Sequence, residues 1–290
     1  SPLALPMQIK CYCYCARWVL NTPISFFKDF SMKFKFLFTG TSAMPEGKIV
    51  HSTSDTYGNI LVVDYPRYRT LSFDSIYEQS GFYLEKPYAL VHEYTRIMML
   101  VLGFMEPRHT TLLGLGGGSL LRSLHHYLSH CDFHVVELRP KVYEIARDYF
   151  DIPDDERVWV SIEDAELQMK SGKDASTDII FADMYDAYHM SPMQGQKQFV
   201  QECWRTLSKS GWLVINYHRL PDPNSPFFDC LIDFFSTIMV CSGEYGNHIL
   251  FACKSPSVDY EGAPVKLKKM EKILNETFMP LFKRIEHITV

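Results

Sequence analysis

The chain has 290 residues, of which 47% are hydrophobic and 22% are charged, and it carries a formal net charge of −5 with a pI near 6.1. These values are ordinary for a soluble globular protein with one sizeable domain and an appendage, or with two small domains. They do not favour binding to nucleic acid or to an anionic membrane surface, and no apolar run approaches the ~20 residues of a membrane span. We therefore expect no nucleic-acid partner and no membrane partner.

The eight cysteines indicate buried thiols. Most of those in the second half of the chain fall in or beside predicted helices and strands, which fits a reducing cytoplasm better than a disulfide framework. Cys11, Cys13 and Cys15 alternate, but no second ligand pair with a suitable spacing accompanies them. We expect an edge strand there, no metal ion, and a cytoplasmic protein.

Hydrophobic periodicity divides the chain into four segments. Short alternating runs at Asn59–Asp64 and Tyr68–Phe73 predict a small antiparallel sheet. A helix is predicted from about Pro87 to Phe104, and another from Val265 to Phe282. The predicted segments are an uncertain N-terminal extension (1-45), a small antiparallel β domain (46-86), a Rossmann-like nucleoside-binding catalytic domain (87-255), and a C-terminal helix and tail (256-290).

In the third segment, apolar strands alternate with helices. This alternation predicts a mostly parallel seven-stranded sheet with helices on both faces. A final antiparallel hairpin, as in S-adenosylmethionine-dependent methyltransferase-like Rossmann folds, takes the place of a second nucleotide-binding half. The predicted strands lie near 111–115, 133–137, 157–162, 178–182, 211–217, 238–242 and 248–252, and the helices near 118–129, 140–150, 164–170, 194–208 and 226–235.

A glycine-rich turn follows the first of these strands. Glycines let the backbone approach a ligand without a Cβ in the way, and the helix that follows offers unpaired N–H donors at its start. The turn therefore predicts a nucleoside-binding loop, although its spacing is not the strict G-x-G-x-x-G of dinucleotide enzymes. Its candidate ligand-binding residues are Gly114, Gly116, Gly117, Gly118 and Ser119.

Acidic residues follow the next two strands. Glu137 lies about 20 residues after Gly116, the interval at which an acid meets ribose hydroxyls in nucleotide-binding βαβ units. A carboxylate can accept hydrogen bonds from two vicinal hydroxyls. Asp164 follows the third strand and has two interpretations, an acceptor from the adenine amine or the N-cap of the next helix.

The strand Ile179–Phe181 delivers Asp183, and Asp186 lies three residues further on. Ligands of open α/β sheets bind beyond the carboxyl ends of the strands. Two acids in that position would attract a cationic substrate and help to remove a proton from it. The alternative interpretation is a pair of loop acids that cap a helix near Met190.

The segments GLGGGSLLR, VVELRP, EDA and DMYDA resemble those of the spermidine synthase family of aminopropyltransferases, as does YRTLSFDSIYEQS…ALVHEYTR upstream. The resemblance covers roughly Ile49 to His218, with a continuation to Ser255. It implies transfer of an aminopropyl group from decarboxylated S-adenosylmethionine to a small-molecule amine, without a metal, in a homodimer.

The resemblance also implies roles for individual residues. Asp183 would accept or steer the proton of the attacking amine, and Asp186 would hold the aminopropyl or amine end. Glu137 would bind ribose, and Asp164 with Ala165 the adenine. The amine pocket would be lined by Gln79 and His92, with the rings of Tyr185 and Tyr188 facing a cationic centre.

The chain departs from the family pattern at four places. The glycine loop lacks the family's aspartate, whose position falls on Ser119 counting forward or on Gly117 counting back. Neither residue can neutralise the ammonium of the decarboxylated cofactor. The other departures are Ala187 in place of proline, Val91 in place of a tyrosine before His92, and Gln79 one residue late after Asp74.

Three functions therefore remain open. The first is a polyamine aminopropyltransferase or a relative with altered amine choice. The second is a methyltransferase that uses intact S-adenosylmethionine on a small substrate, which the acid-free loop permits. The third is an inactive paralogue that binds a nucleoside or a partner.

Overall fold

The computed structural model of the protein describes residues 47–74, 77–185 and 191–288. Lys48–Val290 forms one compact unit, and the predicted extension 1-45 lies outside the described residues. Within the described ranges, no helix is long and apolar enough to cross a membrane. The division of this unit at residues 86 and 255 stays a prediction.

Four antiparallel strands form the small N-terminal sheet in the order β1-β2-β3-β4. Its apolar face, which includes Leu71, packs against Phe150 and the preceding helix α3 (Pro140–Tyr149) of the larger part of the chain. In β4 the pairing with β3 slips by one residue, because Leu71 pairs with Ser80 while Ser72 pairs with Glu78. Gln79 is the extra residue of this bulge. The strands are β1 Lys48–Asp55, β2 Gly58–Asp64, β3 Tyr68–Phe73 and β4 Tyr77–Tyr83.

The second sheet has eight strands in the order β12-β10-β11-β9-β8-β5-β6-β7. Strands β7, β6, β5, β8 and β9 are parallel, and β11, β10 and β12 run antiparallel to their neighbours. The strands are β5 His109–Leu113, β6 Asp132–Glu137, β7 Val158–Ile162, β8 Thr177–Ala182, β9 Leu207–Tyr217, β10 Thr237–Ser242, β11 His248–Cys253 and β12 Glu286–His287.

Helices cover both faces of this sheet, and its central strands are apolar on both sides because they are buried on both sides. The helices are α1 Glu93–Met98, α2 Ser119–Tyr127, α3 Pro140–Tyr149, α4 Ala165–Ser171, α5 Lys197–Thr206, α6 Pro226–Phe234, α7 Ala263–Leu274 and α8 Met279–Phe282, with 3-10 turns at Met99–Gly103 and Pro192–Gly195. The methyltransferase-like Rossmann fold with a small N-terminal β-sheet is thereby confirmed.

Three details differ from the sequence-based expectation. The sheet has an eighth strand, the two-residue β12, beyond the expected seven. The helix expected over Val265–Phe282 is broken after α7, where Asn275 adopts a left-handed conformation with φ of 53°. The helix expected from about Pro87 to Phe104 begins only at Glu93 and ends at Met98, and the apolar segment after it is a 3-10 turn buried in the core, where Gly103 lies against Leu267.

Candidate functional site

The glycine loop connects β5 to α2 and has three left-handed residues. Gly114, Gly116 and Gly118 have φ values of 97°, 53° and 71°, a region that favours glycine. A Cβ on Gly114 would lie 2.3 Å from the carbonyl oxygen of Asp183. Glycine is therefore required where the loop passes the end of β8.

The loop presents only part of its backbone to solvent. Gly114 and Gly116 are partly accessible, whereas Gly117, Gly118 and Ser119 are buried. A Cβ on Gly116 would meet no atom closer than 3.9 Å, so the space above it is open. Of the five predicted loop residues, Gly114 and Gly116 are therefore the accessible ones.

Gly117 is one of the two positions at which the family's loop acid is missing. A Cβ there would lie 2.8 Å from Ser80 Oγ and 3.1 Å from Phe150 Cδ1. Ser119, the other position, is buried at the start of α2, and its hydroxyl has no hydrogen-bond partner among the residues that the structure describes. At Gly117, Ser80 and Phe150 therefore leave no room for an aspartate side chain.

Glu137 ends β6 directly beneath the loop and is 7% exposed. Its Oε2 accepts a hydrogen bond from Leu115 N at 3.0 Å, and its Oε1 accepts one from Arg139 N at 2.9 Å. Burial raises the pKa of Glu137, and the N–H donors, among them Gly116, oppose that shift. Glu137 thus holds the loop in place and retains lone pairs for a ribose.

Asp164 is the N-cap of α4 and accepts a hydrogen bond from Glu166 N at 2.7 Å. The capping interpretation is therefore confirmed. Asp164 is exposed and Ala165, the first residue of α4, is half-buried. Their contact with an adenine stays a prediction.

Asp183 lies just beyond β8, next to the loop. Its Oδ1 accepts a hydrogen bond from Asn216 Nδ2 at 2.8 Å, and the hydroxyl of Tyr94 donates to the same carboxylate. Burial raises the pKa of Asp183, and these two donors oppose the shift. The hydrogen bond from Asn216 orients the carboxylate, and Asp183 as a residue is partly accessible.

Tyr185 is held near Asp183 by its hydroxyl, which donates to the carbonyl oxygen of Asn216 at 2.7 Å, and its ring lies 4.4 Å from the ring of His218. Asp186 and Tyr188, the other two predicted residues of this loop, lie outside the described residues.

The predicted amine-pocket residue His92 faces Glu78. The His92 Nε2 and Glu78 Oε1 atoms are 3.3 Å apart and buried, and neither has a hydrogen-bond partner within the described ranges. Burial raises the pKa of Glu78 to about 7 and lowers the pKa of His92 to about 4. The strand bulge at Gln79 accompanies this pairing, in which it is Glu78 that reaches His92.

Three residues of the site were not singled out by the sequence. Tyr94 and Asn216 bind Asp183, and Glu78 faces His92. Tyr94 comes directly after His92-Glu93, and Asn216 is the residue before the last of the predicted strand 211–217, so the sequence position of each gave a weak indication that it lies near the site. Glu78 lies at the distance from Asp74 at which the family's glutamine was expected.

Within residues 47–74, 77–185 and 191–288, no group of three His, Cys, Asp or Glu side chains could hold a metal ion. The five cysteines in these ranges are free and buried. Cys11, Cys13 and Cys15 lie outside them.

Comparison with known proteins identifies the family of this chain. The polyamine aminopropyltransferase of Chromobacterium violaceum is 30% identical over 223 residues, which are 74% of this chain and 79% of that protein. The chain belongs to the polyamine aminopropyltransferase family. The model of the methyltransferase domain also matches, over residues 112–215, from β5 to β9.

Solved structures agree with this aminopropyltransferase fold. A probable spermidine synthase from Corynebacterium glutamicum has a TM-score of 0.65 at 20% identity, and the match covers 83% of this chain and 90% of that one. Human methyltransferase-like protein 13, in complex with SAH, has a TM-score of 0.56 at 21% identity over 64% of this chain and 94% of that one. At these identities the likeness shows the fold alone.

Proposed function

We propose that the protein transfers an aminopropyl group from decarboxylated S-adenosylmethionine to a small amine in polyamine biosynthesis. The observation that carries the proposal is Asp183, a carboxylate oriented by Tyr94 and Asn216 at the point where β8 meets the glycine loop. The adenosyl group would lie over Gly114 and Gly116, with its ribose on Glu137 and its adenine at Asp164 and Ala165.

The reaction requires little covalent chemistry from the protein itself. An amine nitrogen attacks the methylene carbon next to the sulfonium, a C–N bond forms, and the C–S bond breaks with its electron pair on sulfur. An alkylammonium has a pKa near ~10.4 and must lose a proton to attack. Asp183 accepts or steers that proton, while Asp186, Gln79, His92, Tyr185 and Tyr188 position the amine.

A second candidate is methyl transfer from intact S-adenosylmethionine. The observation that favours it is Gly117, where Ser80 and Phe150 occupy the space that a loop acid would need. Without that acid, the loop does not repel a cofactor carboxylate. Both candidates use the same nucleoside site, so the cofactor distinguishes them.

The test is to incubate the protein with each cofactor and a panel of amines, followed by mass spectrometry. Aminopropyl transfer yields methylthioadenosine and an amine that is longer by an aminopropyl group. S-Adenosylhomocysteine and a methylated product would replace this proposal by the second candidate. The background of the assay is measured with Asp183→Asn. If the wild type forms neither product above that background, the protein is an inactive paralogue.

We further propose a homodimer in the cytoplasm. The apolar segment after α1 gives no support to a dimer, because it is buried within the chain. Light scattering on the purified protein tests the oligomeric state, and a monomeric mass at working concentration would contradict the dimer.

A further inference from the structure

Glu78 is a half-buried acid whose Oε1 atom is shielded from solvent, and it has no cationic partner in the described part of the chain. Its one ion-pair neighbour there is His92, whose own pKa is lowered to about 4, so that the imidazole is neutral at pH 7. A Cβ on Gly81 would lie 2.9 Å from Glu78 Oε1, so glycine leaves room for the carboxylate. Partial burial of a carboxylate without a positive partner disfavours its charged form, and a ligand cation would offset that effect.

Glu78 lies beside both elements that border the reacting centre. Its strand, β4, touches the glycine loop through Ser80, which meets Gly117. On its other side lies α1, where the ring of Tyr94 stacks with that of His92 at 5.8 Å. The Tyr94 hydroxyl binds Asp183, and the Glu78 charge acts on Tyr94.

The cofactor of the proposed reaction brings the missing cation to this place. Its transferred propyl chain ends in an ammonium, and the glycine loop has no acid to neutralise that ammonium. We propose that Glu78 supplies the carboxylate, so that the acid absent from the loop is replaced by one on the neighbouring strand β4. This inference rests on the proposed function and names the residue that selects the decarboxylated cofactor.

In the competing assignment, Glu78 binds an ammonium group of the acceptor amine. Two cofactor analogues separate the two assignments. Decarboxylated S-adenosylmethionine carries the sulfonium and the ammonium, whereas 5′-dimethylsulfonio-5′-deoxyadenosine carries the sulfonium alone. Only a residue that binds the cofactor ammonium distinguishes between these two ligands.

The experiment is calorimetric titration of both ligands into the wild type, Glu78→Gln and the control Glu85→Gln, an exposed acid just after β4. We expect Glu78→Gln to weaken binding of the decarboxylated cofactor by about 10- to 100-fold, the loss of one charge-assisted hydrogen bond. The affinity of Glu78→Gln for the dimethylsulfonio ligand should stay within twofold of the wild-type value. The control Glu85→Gln should change the affinity for neither ligand.

Two results would overturn the inference. One is an unchanged affinity of Glu78→Gln for the decarboxylated cofactor, with or without a higher KM for the amine. The other is an equal loss for both ligands, which indicates a structural role. A wild type that binds the dimethylsulfonio ligand but not the decarboxylated cofactor, and forms no aminopropyl product, contradicts the proposed function itself.

A measurement on the wild type alone covers the case in which the variant does not fold. The pKa of Glu78 near 7 predicts that affinity for the decarboxylated cofactor rises about tenfold from pH 6 to pH 8, as the carboxylate ionises. The ionisable groups around it, His92, Tyr65, Tyr68 and Tyr94, have pKa values displaced away from this range. Equal pH dependence for both ligands would contradict the inference.

Discussion

The hydroxyl of Tyr94, on α1, donates a hydrogen bond to the carboxylate of Asp183, which lies beyond the end of β8. The two residues are far apart in sequence, and their contact joins the helix that follows the small sheet to the catalytic edge of the large one. The hydrogen bond favours the ionised form of Asp183 against the effect of burial.

Asp183→Asn should abolish transfer and leave binding of adenosine ligands within a few fold. The amide keeps the shape but cannot accept the proton of the amine, and loss of a general base costs about 100-fold or more. Turnover and calorimetric titration with methylthioadenosine measure the two effects. The control is Asp174→Asn, an acid that is 78% exposed. Unchanged turnover in Asp183→Asn would remove the residue from its proposed role.

Tyr94→Phe should lower kcat about fivefold and shift its pH profile, because Asp183 loses one donor. That donor lowers the pKa of Asp183, so its removal raises this pKa and moves the acidic limb of the profile to higher pH. A lower kcat with an unshifted acidic limb would indicate that Tyr94 acts only through packing.

Glu137→Ala should weaken nucleoside binding about 10-fold or more through the loss of charge-assisted hydrogen bonds. The structure adds a second effect, because Leu115 N and Arg139 N lose their acceptor. A buried N–H without a partner costs about 1–3 kcal/mol, so we also expect a Tm lower by about 3 °C or more. Calorimetry and thermal melts measure both, with the exposed Glu144→Ala as control. Equal affinity would remove Glu137 from the site.

Gly117→Asp should destabilise the protein rather than restore a family-like loop. The new Cβ would lie 2.9 Å from Ser80 Cβ and 3.1 Å from Phe150 Cδ1, and such overpacking costs about 1–3 kcal/mol. Ser80→Gly in the same chain should recover part of the loss, because it removes the nearer contact. Thermal melts of the single and double variants test this, and a fully stable single variant would show that the loop can move aside.

Glu78 should contribute a loss of stability as the pH rises from about 4.5 to about 7, whereas His92, whose folded-state pKa is lowered, contributes a gain between about pH 4 and pH 6.5. The folded-state pKa of Glu78 is raised above its ordinary value, so the folded state holds a proton that the unfolded state has lost in this range. Glu78→Gln should remove this component of the loss. Chemical denaturation at pH 5 and pH 8 measures it, and an identical pH dependence in the variant would contradict the raised pKa.

The sequence predicted the positions of the strands and of the glycine loop because both depend on local patterns. Apolar runs that end in glycine or in an acid identify strand ends, and the alternation of strands and helices determines the sheet. Glu137, Asp164 and Asp183 were found in this way. Their positions follow from strand ends, which is the part of a Rossmann fold that sequence shows best.

The partners of these acids could not be predicted in the same way. Asn216 and Tyr94 reach Asp183 from elements that are separate in the chain, and no local pattern indicates such a contact. Gln79 illustrates a second difficulty, because a bulge of one residue changes which side chain of β4 faces α1. Only the register with β3 distinguishes Gln79 from Glu78.

The side chain of Asn216 has one orientation that satisfies both its neighbours. Its Nδ2 donates to Asp183, and its Oδ1 accepts from Asn247 Nδ2 at 3.0 Å. The amide therefore cannot flip without losing both hydrogen bonds. Its side-chain NMR signals are a natural probe of the charge on Asp183, and they can follow protonation at the reacting centre without an introduced label.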